Sequence, residues 1–134
     1  MYLIEEQESL DQFLNDIKTE KCIAIDTEFA RVKTYYPQLC LIQIATPSLI
    51  ACIDCLSGMD LSELWKIIYL ENVEKVMHSC SQDLEIFFLA NKKAFINRGG
   101  KKVEDTTQMM SLMEKRICYL RELRVGSCLI THLA

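Results

Sequence analysis

The chain has 134 residues, half of them hydrophobic and a quarter charged, a composition that fits one globular domain with a sizeable core. Its net charge of −4 weighs against a protein held on nucleic acid by bulk attraction, although carboxylates that bind metal would add to that count and the metal would reverse the local field. Only four glycines and two prolines occur, so no linker is expected; no apolar run approaches membrane-spanning length, and the acidic start at Glu5, Glu6 and Glu8 is unlike a secretion signal.

Taken in order, Tyr2 to Ile4 fits a short edge strand. Ser9 with Gln12 has the form of a capping box. Leu10, Phe13, Leu14 and Ile17 then repeat at helical spacing, which predicts a helix to about Thr19. Cys22 to Ile25 is the apolar run of a strand buried on both faces, continuing to Glu28. Tyr35, Tyr36 and Pro37 form a loop in which the proline holds Tyr36 extended. Leu39 to Ala45 and Leu49 to Ile53 are strand-like and are separated by a turn at Thr46 to Ser48. Three strands so closely joined most simply make an antiparallel meander.

Asp60 is placed to cap a helix whose apolar stripe is Leu61, Leu64, Trp65 and Ile68. Val73 to Met77 reads as a strand, so strand, helix and strand form a right-handed crossover to a parallel neighbour. Ser81 is placed to cap a helix running to about Ala90, with Leu84, Phe87 and Phe88 toward the core. Lys102 and Val103 fit an edge strand, and Asp105 the cap of a helix carrying Met109, Leu112 and Met113. The expected fold class is α/β, a mixed sheet flanked by helices.

A buried strand should not end in charge, yet the run from Cys22 ends in Asp26 and Glu28. Residues two apart on a strand share a face, so both carboxylates project the same way and repel. Two readings are open: the start of a solvated loop, or a pair of ligands whose repulsion a cation removes. Asp83, in the first turn of a helix, helps the helix dipole on the plain reading. The chain has seven cysteines. Without a secretion signal they read as reduced thiols of a cytoplasmic protein, several of them in strands as small hydrophobes. Cys52 and Cys55 lack the second pair or histidine that would complete a zinc site, and strand packing accounts for them. Arg31 and Lys33 form one basic group, and Lys92, Lys93, Arg98, Lys101 and Lys102 another. Each suits either a solvated face or phosphate contacts.

The stretch Asp26-Thr-Glu-Phe29, followed by Thr34-Tyr-Tyr-Pro-Gln-Leu39 and Leu41-Ile-Gln43, resembles the first motif of ribonuclease D, in the DEDD superfamily of 3'-5' exonucleases. His78-Ser-Cys-Ser-Gln-Asp-Leu-Glu-Ile-Phe87 is similar to the second motif, whose acidic residue falls on Asp83. The resemblance implies a ribonuclease-H-like mixed sheet, with Asp26, Glu28 and Asp83 meeting at its edge, where open α/β sheets form their sites. All three ligands are hard carboxylates, which suits magnesium or manganese and disfavours zinc or copper. Two such ions about 3.5–4 Å apart activate water and stabilise a leaving oxygen. The implied reaction is hydrolysis of the 3'-terminal phosphodiester of RNA, releasing a nucleoside monophosphate. Asp26 would bridge both ions, Glu28 would bind one, and Asp83 would complete the second site. Phe29 is placed either to stack on the terminal base or to pack in the core, and Arg31 and Lys33 to meet phosphates.

The resemblance runs to about Met113 and divides the chain into a partial exonuclease domain, residues 1–113, and a divergent tail, 114–134. The family's third motif is a Tyr or His followed four residues later by Asp. Here Tyr119 is followed at that spacing by Leu123, and no aspartate occurs after Asp105. An interrupted reading frame past Met113 would account for this. Two functions are therefore weighed: a metal-dependent exoribonuclease acting on 3' ends, and a non-catalytic module that binds metal or nucleic acid.

Overall fold

The computed structural model describes residues 2–31, 35–70, 72–77, 82–83, 85–87 and 89–90, with the backbone of 117–119. The sheet is built around β2 (Cys22–Ala30), where Ile23, Ala24 and Ile25 are all buried, as an apolar run between two layers requires. β3 (Gln38–Ala45) and β4 (Ile50–Asp54) follow it as the expected antiparallel meander. β1 (Tyr2–Ile4) lies parallel to β4, β5 (Glu74–Met77) parallel to β2, and β6 (Ile117–Tyr119) parallel to β5. The order across the sheet is β1-β4-β3-β2-β5-β6, which sets β1 at an edge and β2 in the interior. The strand β6 was not foreseen in the sequence. The strand expected at Lys102 and Val103, the helix from Asp105 and the cap at Ser81 lie outside the described residues.

Register assigns the faces. Ile23, Ile25 and Thr27 of β2 share one side with Ile42 and Ile44 of β3 and Ile53 of β4. Onto that side pack α1 (Gln7–Ile17) through Leu10, Phe13, Leu14 and Ile17, and α2 (Ser62–Ile68) through Leu64, Trp65 and Ile68. Phe87, from the helical stretch over residues 82–83, 85–87 and 89–90, joins the same core and stands edge-on to Trp65 at 5.5 Å. The other side carries Ala24, Ala45, Ile50 and Val76 as a second, smaller cluster.

Two expected caps are corrected. α1 starts at Gln7 with Glu6 extended before it, so Ser9 lies inside the helix and makes no capping box with Gln12. What anchors this end is tertiary: Gln7 Oε1 accepts the Asp60 N–H at 2.8 Å and its Nε2 donates to the Asp60 carbonyl at 3.3 Å. At α2 the cap position belongs to Leu61, while Asp60 Oδ1 accepts the Ser62 N–H at 3.0 Å one residue earlier.

Cys55 packs against the main core, and burial pushes its thiol up to about 12. Thiolate is the reactive form, so Cys55 is expected to alkylate at pH 8 roughly 50-fold more slowly in the folded chain than in urea. That figure discounts the thiolate deficit for the higher nucleophilicity of a more basic thiol. A timed iodoacetamide reaction followed by peptide mass spectrometry reads it.

Candidate active site

Asp26 and Glu28 stand on β2 near its C-terminal end, half-buried and exposed respectively, on the side of the sheet opposite Thr27. β2 continues past them to Ala30 because β3 absorbs an irregularity between Glu28 and Phe29: Glu28 pairs Leu41, but Phe29 pairs Leu39. Cys40 is the residue left over on the β2 side, while on the β4 side its carbonyl accepts the Cys55 N–H at 2.9 Å in register with Leu41 and Asp54. Such bulges bend a strand and re-aim its side chains; here the bulge falls immediately after the second carboxylate.

Asp83 arrives from another direction. β5 runs parallel to β2, so the chain leaves β5 at the same end of the sheet as the carboxylates, and the helical stretch that follows begins there. Asp83 is buried, and Thr27 Oγ1 donates a hydrogen bond to its Oδ1. Burial raises the Asp83 carboxyl above its ordinary value, the Thr27 bond pulls it back, and the negative charges of Asp26 and then Glu28 raise it again. The fold thus brings all three carboxylates into one electrostatic neighbourhood. Among the described residues, no three His, Cys, Asp or Glu side chains lie together in a single coordination sphere. The donor set nonetheless fits a hard divalent cation: three carboxylates, one buried where its charged form is disfavoured, with each ion of a pair needing only two of them.

The sign of that shift has a measurable consequence. A carboxyl raised by folding costs stability when ionised, and the cost disappears as pH falls through the folded value toward the ordinary 3.8. Asp83→Asn keeps an acceptor for Thr27 and removes the charge. Without metal, it is expected to have a higher urea midpoint than the parent at pH 7, the difference closing by pH 4.

The remaining candidates are less gathered. Phe29 is half-buried beside the bulge. Arg31 is exposed, its Nη1 donating to the Tyr35 carbonyl at 3.4 Å. Tyr35 and Tyr36, both exposed, pack edge-to-face at 5.0 Å in the same loop. Lys33 lies outside the described residues. Two polar residues escaped the sequence reading. Thr27 carried the signal of a hydroxyl in an apolar run, at a position where the strand period points inward. Lys75 is fully buried on β5, with Nζ donating to the Leu70 carbonyl just past α2, where a helix end favours a cation. Its strand period alone marked it as inward.

With this geometry in place, the comparisons with known proteins agree in direction. A family model described as 3'-5' exonuclease matches residues 1–118. Ribonuclease D of Acidiphilium cryptum (strain JF-5) is 41% identical over 88 residues, which cover 65% of this chain and 22% of that relative. The crystal structure of Escherichia coli RNase D, an exoribonuclease involved in structured RNA processing, superposes with a TM-score of 0.61 at 38% identity, covering 65% of this chain and 23% of that one. Trypanosoma brucei RNase D in complex with RNA U12 shares the fold at 16% identity, with a TM-score of 0.55 over 62% of this chain and 31% of that one. The chain therefore spans about a fifth to a third of the length of these relatives.

Proposed function

Because this chain belongs to the 3'-5' exonuclease family, we propose that it is the carboxylate-bearing part of an exoribonuclease that shortens RNA from the 3' end. The observation that carries this reading is the convergence of Asp26, Glu28 and Asp83 on one end of the sheet, within the matched residues 1–118. Asp26 and Glu28 on one strand and Asp83 beside it would hold divalent ions, magnesium or manganese by the hardness of their oxygens. The ions, when bound, supply an activated water and stabilise the leaving 3' oxygen. The chain's own contribution is to fix the ligands on a rigid strand and a helix start. Phe29 would border the terminal base, and Arg31, with Lys33, would face phosphates. Structured RNA is the proposed substrate, by likeness to the Escherichia coli enzyme, and tRNA precursors are the class proposed to be tried first. Among the described residues, Cys22, Cys40, Cys52 and Cys55 form no disulfide, which would suit a cytoplasmic setting. Among the described residues no helix is long and apolar enough to cross a membrane.

The second reading, a module that binds metal or nucleic acid without catalysis, is favoured by the sequence after Asp105, which has no aspartate to supply a fourth carboxylate ligand. A 5'-labelled single-stranded oligoribonucleotide incubated with manganese separates the two. Stepwise shortening from the 3' end, with release of nucleoside monophosphates, supports the exonuclease. Internal cuts, or equal shortening by Asp26→Asn, would overturn it. Calorimetric manganese binding with no shortening would establish the second reading.

A further inference from the structure

We propose that Thr27 is a positioning residue of the metal site, holding Asp83 where it can meet a cation shared with Asp26; this rests on the metal-binding reading above. Thr27 is buried on the core-facing side of β2, in line with Ile23 and Ile25. Valine would fill that place with the same shape, and a hydroxyl there costs desolvation unless it is bonded. Its hydroxyl donates to Asp83, 56 residues away on a different element.

The bond restricts motion at both ends. A threonine in a strand is stiff at χ1, so the direction of its hydroxyl is set by the backbone of β2. An aspartate in the first turn of a helix has several staggered rotamers open to it. The Thr27 hydroxyl selects the one that holds the carboxylate against β2. Because the bond takes Oδ1, it orients the carboxylate without needing both oxygens. The strand that carries Asp26 and Glu28 therefore also sets the placement of the third carboxylate, through the residue between them.

The test is calorimetric titration of manganese into the whole chain, for the parent, Thr27→Val, Thr27→Ser and Asp83→Asn, at a temperature where circular dichroism shows each folded. Thr27→Val is expected to weaken manganese binding about tenfold, and Thr27→Ser to restore most of it. In the Asp83→Asn background, Thr27→Val should cause no further loss, since the two act as one unit. If Thr27→Val does not fold, Thr27→Cys, of similar size with only a weak donor, is read the same way. Unchanged or tighter binding by a folded variant lacking the hydroxyl would overturn the inference and make the bond a structural tie. A parent that binds no manganese would instead bring down the metal-binding reading itself. The two failures are thus distinct.

Discussion

Asp26→Asn is expected to reduce manganese-dependent removal of 3'-terminal nucleotides by about 10²–10⁴-fold, the range lost with a positioned acid–base group, because metal geometry carries the mechanism. The substitution is nearly isosteric and Asp26 is only half-buried, so the fold should persist. The Asp26 carboxylate also accepts the N–H of Thr27 at 2.9 Å, a bond an amide oxygen can keep. What disappears is the negative charge beside Asp83 and with it the carboxylate proposed to be shared between two ions. The measurement is the initial rate of 3' shortening at saturating manganese, with the circular dichroism spectrum as control. A rate within threefold of the parent would remove Asp26 from the site. The parent rate itself is expected to be low, because no aspartate follows Asp105 to serve as the third motif's ligand.

Phe13→Ala is expected to cost about 3–5 kcal/mol of stability. Phe13 is fully buried in α1, stands edge-on to Tyr2 at 6.3 Å and belongs to the cluster that includes Ile4, Leu10 and Ile53. It therefore ties α1 to β1, and neither a strand of three residues nor a short helix can close over the vacated volume. At a urea dependence of about 2 kcal/mol per molar, the midpoint should fall by roughly 2 M, which brings a chain at the low end of ordinary stability close to unfolding. Leu3→Ala, at a position 52% exposed on β1, is the control and should move the midpoint by less than about 0.5 kcal/mol equivalent.

The elements that could be read from the sequence are those specified by their own periodicity. The stripe Leu10, Phe13, Leu14 and Ile17 defines α1, the apolar run from Cys22 defines β2, and short spacings define the meander. Features decided by distant partners could not be read this way. Ser9 and Gln12 satisfy a local rule, but the helix begins earlier because Gln7 finds Asp60, 53 positions away. The bulge that extends β2 to Ala30 is a property of β3, at Cys40. The period of β5 turns Lys75 inward with Val73 and Met77, but it could not show that the Leu70 carbonyl is there to receive the ammonium. At the site, the spacing of Asp26 and Glu28 put both on one face. It could not show that Thr27, pointing the other way, is the residue that touches Asp83.

The order in which β2 acquires its neighbours sets the order in which the site is born. β3 and β4 follow β2 directly and need only short connections to pair, whereas β5 returns to β2 across α2. Closing that longer loop is the slower event, and during synthesis the N-terminal strands are available first. A nascent chain can thus carry Asp26 and Glu28 on a formed hairpin before Asp83 has left the ribosome. In that interval, the flank of β2 that awaits β5 is an open strand edge, the kind that pairs with other chains. The arrival of β5 closes that edge and, a few residues later, delivers Asp83 to Thr27. Protection from hydrogen exchange of the β2 amides that face β5 and completion of the carboxylate cluster should therefore be one kinetic event, late in folding.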